Sequence, residues 1–210
     1  THDKDMKDKQ WEPAIGKELK DKILLILGCG AIGCKTAKIA SFGFGMNVTG
    51  YDVAQLDHAR LKNNYGFKEL TSDLNNALAE ADFISIHIPS IPATRHFVDS
   101  QFLSNIKPDC CIINTARGPV IDETSLYNAL KNGKIKAAAL DVFETEPYKP
   151  TDPDKDLRSL DNVTLTPHIG SSTVAACRRM ATSCLKNIRA AYKKKYDQLD
   201  ILNKDVLAKL

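Results

Sequence analysis

Ile23-Leu24-Leu25-Ile26-Leu27 runs directly into Gly28-Cys29-Gly30-Ala31-Ile32-Gly33, and a helix-compatible stretch follows from Ala31 to about Ser41. The next apolar segment, Met46 to Tyr51, ends on Asp52, 19 residues beyond Gly33. A strand, a glycine turn, a helix, a second strand and then a carboxylate, in that order and spacing, form a dinucleotide-binding fingerprint. Gly28 permits a tight turn out of the strand. Gly30 carries no Cβ, so backbone can approach a diphosphate, and Gly33 lets the helix pack on the strand. Free N–H groups and the positive end of the helix dipole, at Ala31 and Ile32, then face the phosphates. Asp52 can accept from both hydroxyls of an adenosine ribose, and its charge repels a 2′-phosphate. No Arg follows within Val53-Ala54-Gln55-Leu56 to receive one, so the expected cofactor is NAD and not NADP.

The 210 residues allow one large domain or one domain with appendages, and a 43% hydrophobic share is enough for a packed core. The net charge of +3, from 29 basic and 26 acidic residues, is too balanced to indicate nucleic-acid or membrane binding. No apolar stretch has the length of a membrane span, and no signal-peptide pattern is present. Cys29, Cys34, Cys110, Cys111, Cys177 and Cys184 show no metal-type spacing, so no metal site is expected. They read as reduced, mostly buried thiols of a cytoplasmic protein.

Strand-like and helix-like segments alternate beyond the fingerprint. Strands are expected at Ile23–Leu27, Asn47–Tyr51, Phe83–Ile88, Cys110–Asn114, Lys136–Asp141 and Val163–Thr166, and helices at Ile32–Phe42, Leu74–Ala79 (Asp73 as N-cap) and Ser125–Lys131. Such alternation specifies an α/β fold, a doubly wound parallel sheet of Rossmann type. Glu144 to Asp161 reads as an ordered, exposed loop, and Ser172 to Tyr196 as a long C-terminal helix. The expected organisation is an approach segment or linker helix over 1–22, a cofactor domain over 23–170, and a C-terminal helix with a returning tail over 171–210.

Parallel sheets bind ligands beyond the carboxyl ends of their strands. The polar residues following the strands are His87 with Pro89, then Asn114 to Gly118, then Asp141, Glu144 and Glu146, then Pro167, His168 and Gly170. An Arg, one or two acids and a His at one end of a sheet suit hydride transfer to a carbonyl. A His of near-neutral pKa delivers the proton, a carboxylate raises its basicity, and a guanidinium grips an anionic substrate.

Thr115-Ala116-Arg117-Gly118, Ile121-Asp122-Glu123, Ala138 through Pro147, and Leu165-Thr166-Pro167-His168-Ile169-Gly170 closely resemble the D-isomer-specific 2-hydroxyacid dehydrogenases. That family includes phosphoglycerate dehydrogenases and glyoxylate or hydroxypyruvate reductases. His87-Ile88-Pro89 through Thr94-Arg95-His96, Trp11 and Gly16-Lys17-Glu18-Leu19 match as well, so the resemblance covers almost the whole chain. It implies Arg117 as binder of the substrate carboxylate and carbonyl, His168 as general acid/base, and Glu146 as the partner of His168. It also implies a cofactor site bordered by His87, Pro89, Thr115, Ala116, Asp141 and Gly170, with a 2-oxo or 2-hydroxy acid as substrate and a homodimer as assembly. His58 and His96 are expected as surface residues. The family's N-terminal half of a substrate domain is absent here, which implies a cofactor-binding fragment with weak turnover or none. A non-catalytic, NAD-sensing module of the co-repressor type is the alternative that the same fold serves.

Overall fold

In a computed structural model of the protein, residues 6–9, 11, 13 and 15–201 are described. They divide between two compact units, Thr1–Pro167 and His168–Leu210. The first unit is built on seven strands: β1 (Ile23–Leu27), β2 (Asn47–Tyr51), β3 (Phe67–Thr71), β4 (Phe83–Ile86), β5 (Cys111–Asn114), β6 (Ala137–Leu140) and β7 (Val163–Leu165). Every pairing is parallel, in the order β3-β2-β1-β4-β5-β6-β7. The order reverses between β1 and β4, and in such sheets the crevice above that reversal receives the ligand. The expected doubly wound parallel sheet is therefore the observed fold.

The two-residue period of a strand sorts β1 onto two cores. Leu25 and Leu27 pack with Leu78, Ile84, Ile86, Phe102 and Leu126, under α3 (Leu74–Glu80), α4 (Ser100–Ser104) and α5 (Glu123–Lys131). Leu24 and Ile26 pack with Cys34, Ala37, Val48, Leu61 and Phe67, under α1 (Ala31–Lys38) and α2 (His58–Tyr65). Four helices carry Asp N-caps whose side chains accept from the first turn: Asp57 from Arg60 N, Asp73 from Asn76 N, Asp99 from Phe102 N, and Asp122 from Thr124 N and Ser125 N. At α1 the N-cap is Gly30, and no side chain caps it.

Three elements are missing from the sequence expectation, and others depart from it. The edge strand β3 has the sequence Phe-Lys-Glu-Leu-Thr, with only Phe67 buried, so it lacks the apolar run of its neighbours. The helix α2 buries Leu61 alone, and α4 is five residues long; both offer too little periodicity to be read. The first helix also changes character, passing after Lys38 into a π-helical turn over Ile39–Gly43. The loop from Glu144 is anchored, not merely exposed: Leu157 is fully buried, its N–H donates to Tyr148 Oη at 3.1 Å, and the Tyr148 ring lies 4.7 Å from that of Phe143. In the approach segment, residues 6–9 make a helical turn and 15–22 contain no helix.

The second unit consists mainly of α6 (Val174–Tyr192), whose N-cap Thr173 accepts from Ala176 N at 3.1 Å. The returning tail lies outside the described residues beyond 201. Among the described residues, no helix is long and apolar enough to cross a membrane, and no group of metal-ligating side chains is present.

Candidate functional site

The glycine turn leaves β1 at Gly28, whose φ of 95° lies in the left-handed region, and a Cβ there would stand 2.8 Å from the His87 carbonyl. Gly28 N donates to Tyr51 O at 2.9 Å, which fixes the turn against β2. A Cβ on Gly33 would lie 2.1 Å from Gly28 O, so α1 sits on the turn at a distance only glycine allows. Around Gly30 the space is open: a Cβ would meet nothing within 4 Å. Gly30, Ala31 and Ile32 are exposed, and the first turn of α1 offers its N–H groups with neither a side-chain cap nor an acidic residue in competition.

Asp52, following β2, reaches this turn. Its Oδ2 accepts from Cys29 N at 2.7 Å and its Oδ1 from Ala54 N at 2.9 Å. Two backbone donors therefore orient the carboxylate beside Gly28–Gly30, with lone pairs left for a further donor. Burial pushes the Cys29 thiol up to about 12, and the Asp52 charge adds to the effect, so Cys29 is an inert packing group. The Cys34 thiol donates to Cys29 O at 3.1 Å.

At the end of β4, His87 N donates to Leu27 O at 2.7 Å, and its Nε2 lies 2.9 Å from Ser85 Oγ. Burial lowers its pKa, so the ring is neutral at pH 7. His87 and Thr115 line a hollow of about 420 Å³ on one sheet face, with Leu24, Phe83 and Ile113 among its apolar walls. Pro89 is exposed, and its carbonyl accepts from Thr94 Oγ1 at 2.6 Å.

The loop after β5 is organised by the fully buried Asn114. Its Nδ2 donates to Arg117 O at 3.0 Å and its Oδ1 accepts from Ala116 N at 2.9 Å, which shapes the Thr115-Ala116-Arg117 turn. Arg117 is exposed, with its Nη1 donating to Ala116 O at 2.6 Å. After β6, Asp141 is buried; its N–H donates to Asn114 O at 3.0 Å and its carboxylate accepts from Thr166 Oγ1 at 2.5 Å. Glu146 is exposed and accepts from Phe143 N at 3.0 Å, next to a cis Glu146–Pro147 bond.

The first unit thus collects Gly28 to Gly33, Asp52, His87, Pro89, Thr115, Ala116, Arg117, Asp141 and Glu146 on the segments leaving the carboxyl ends of β1, β2, β4, β5 and β6. His168 and Gly170 belong to the second unit. Both are exposed ahead of α6, and His168 has a φ of 53°. Sequence reasoning named Asn114, Glu123 and Glu144 but not what they hold: Asn114 shapes the loop after β5, and Glu123 and Glu144 exchange hydrogen bonds with each other's backbone. Glu123 shows in the sequence as part of an acidic helix start and of a family motif, neither of which points to Glu144. His96, expected at the surface, is half-buried with its Nε2 at 2.8 Å from Glu144 Oε2. A His followed by acids in distant segments carries no local signal of such a contact.

Comparison with known proteins adds independent findings. Residues 1–170 match the family model described as D-isomer specific 2-hydroxyacid dehydrogenase, NAD binding domain. The chain is 40% identical over 203 residues to the glyoxylate reductase of Thermofilum pendens, covering 95% of this chain and 57% of that protein. It is 44% identical over 174 residues to the D-3-phosphoglycerate dehydrogenase of Methanocaldococcus jannaschii, covering 83% and 32%. Among solved structures, D-lactate dehydrogenase from Aquifex aeolicus, complexed with NAD and lactic acid, superposes with a TM-score of 0.82 at 31% identity. That match covers 94% of this chain and 62% of that one. The chain spans about half the length, or less, of these curated relatives.

Proposed function

This chain belongs to the D-isomer specific 2-hydroxyacid dehydrogenase family through its NAD-binding domain, and from that premise we propose that it serves hydride transfer between NAD(H) and a 2-oxo or 2-hydroxy acid. The observation that carries the reading is the turn itself. An uncapped helix tip, an open space at Gly30 and a backbone-oriented Asp52 fit the diphosphate and adenosine ribose of a dinucleotide. Bound there, the nicotinamide donates or accepts the hydride. The chain's residues supply the rest: Ala31, Ile32 and Gly33 amides take the phosphates, and Asp52 takes the ribose. His87, Pro89, Thr115, Ala116, Asp141 and Gly170 border the remainder of the cofactor.

Arg117, exposed on the loop after β5, is assigned the substrate carboxylate and carbonyl, since a guanidinium offers paired donors to both. His168 is assigned the proton that reaches the carbonyl oxygen as it becomes a hydroxyl, and Glu146 the carboxylate that sustains the imidazolium. The division into 1–22, 23–170 and 171–210, a homodimeric state and a cytoplasmic site belong to the same proposal. The free cysteines support the last of these. The 2-hydroxy-acid substrate rests on the named relatives, which are longer than this chain.

Two measurements test the reading. Calorimetric titration with NADH should show binding; none at millimolar cofactor contradicts it. NADH oxidation with glyoxylate, hydroxypyruvate, phosphohydroxypyruvate and pyruvate should be at least about a hundredfold slower in His168→Gln than in the parent protein. Unchanged rates contradict the assigned proton donor. NADH-dependent partner binding with no turnover on any oxo acid supports the co-repressor alternative instead.

A further inference from the structure

The loops bearing Arg117 and Glu146 are joined by contacts outside the residues assigned so far. Gly118, next to Arg117, is packed so closely on Phe143 that a Cβ there would lie 1.9 Å from the Phe143 carbonyl carbon and oxygen. Phe143 N in turn donates to Glu146 Oε1 at 3.0 Å. Behind this contact stands a reciprocal clasp: Glu144 N donates to Glu123 Oε1 at 2.7 Å, and Glu123 N donates to Glu144 Oε1 at 3.1 Å. Glu144 Oε2 faces His96 Nε2 at 2.8 Å and Arg95 Nη2 at 3.4 Å. The segment carrying His96 is laced to the same loop, with His96 N donating to Pro119 O and Asp122 N to Val98 O.

From this geometry we propose that Glu123 is a positioning residue for Arg117 and Glu146, acting through its clasp with Glu144. The inference rests on the proposed function for what the two positioned groups do, but the clasp itself does not depend on that reading.

The clasp works with Glu123 as the neutral acid. Glu123 is 5% exposed, and its Oε2 is buried with no hydrogen-bond partner. An ionised oxygen left so is far costlier than a neutral one. The groups facing it are mostly negative or neutral. Glu144 approaches from the loop after β6, Asp122 from the N-cap of its own helix, and Tyr148 from beyond Glu146. The basic side chains His96 and Arg95 are turned to Glu144. Burial first, opposed by the hydrogen bond from Glu144 N and then aided by the charges of Glu144 and Asp122, raises Glu123 to about 7. Loss of its proton sets two carboxylates against each other in a closed space and loosens the Gly118–Phe143 contact. Arg117 and Glu146 then drift from their common setting, where a misplacement of about 1 Å is enough to slow a reaction.

The test uses this chain without cofactor or substrate. With ¹³C-carboxyl-labelled glutamate, the Glu123 resonance should titrate with a midpoint about 7. The amide resonances of Gly118 and Phe143 should move with the same midpoint. In Glu123→Gln, which keeps an acceptor for Glu144 N and cannot ionise, those amides should hold the low-pH positions throughout. A Glu123 midpoint in the range of exposed carboxylates, or Gly118 and Phe143 amides indifferent to it, overturns the proposal. In an active enzyme kcat/KM for the oxo acid should fall about tenfold further from pH 6 to pH 8 in the parent than in Glu123→Gln. Absence of NADH binding contradicts the proposed function, and the resonances still decide the clasp.

Discussion

The carboxyl end of the sheet is built in two manners. Above β1 and β2 the site is almost all backbone: a turn opened by Gly28, a helix seated on it through Gly33, exposed amides at Ala31 and Ile32, and one carboxylate held by two N–H groups. Above β5 and β6 the side chains proposed to act on substrate ride on loops whose shape comes from buried polar groups: Asn114 under Arg117, Asp141 on Thr166, Glu123 against Glu144. Backbone sites are specified by where side chains are missing. Side-chain sites are specified by second partners from distant parts of the chain. The second manner carries at its centre a buried titratable group, Glu123, raised to about 7.

The largest effect should come from filling space that the turn cannot yield. Gly33→Ala meets the Gly28 carbonyl, and Gly118→Ala meets the Phe143 carbonyl. Each should cost about 3 kcal/mol, read from denaturant unfolding. Gly30→Ala meets nothing in the protein and should stay within about 1 kcal/mol of the parent while weakening NADH binding. Equal losses of stability in all three would erase the distinction between packing glycines and a ligand-facing one.

The next effect separates the two regions by pH. The pKa of Glu123 goes from 4.5 unfolded to about 7 folded, so the folded chain binds the proton more tightly. Its contribution is complete below pH 4.5 and disappears as pH rises through 7. Glu123→Gln should therefore gain on the parent over that interval, by roughly 2–3 kcal/mol. The check is a set of urea melts at pH 5 and pH 8; a constant difference between the two proteins would show that Glu123 does not hold the proton.

Asp52→Ala removes the acceptor of Cys29 N and should weaken NADH about tenfold while narrowing the preference over NADPH, measured by paired titrations. The smallest effect is chemical. Cys177 and Cys184, exposed on α6, should react with a thiol reagent at pH 8, while Cys29 and Cys110, both pushed by burial to about 12, should react only on unfolding. Rapid modification of Cys29 would mean that the turn opens.

What could be read in the sequence follows the same division. Gly28 through Asp52 is a local pattern, its spacing set by one helix and one strand, and the five-residue β1 announces itself by having no polar residue. The edge strand β3 exposes Lys68 and Glu69, so it lacked the period that marks its neighbours. Arg117 and Glu146 were visible as polar residues after strands, but Glu123 and Glu144 are 21 residues apart and meet only because β6 returns beside β5. His96 looked solvated for the same reason, its partner Glu144 lying 48 residues away. Pairings of this kind are products of topology and leave no period or motif behind.

We propose that the glycine turn and the tip of α1 receive the dinucleotide. Amide chemical-shift mapping on this chain during titration with NAD⁺ tests it directly. The largest, saturable changes should fall at Gly30, Ala31, Ile32, Gly33 and Asp52. Saturable changes confined to the apolar hollow around Leu24, Phe83 and Ile113, with the turn amides unmoved, would contradict it.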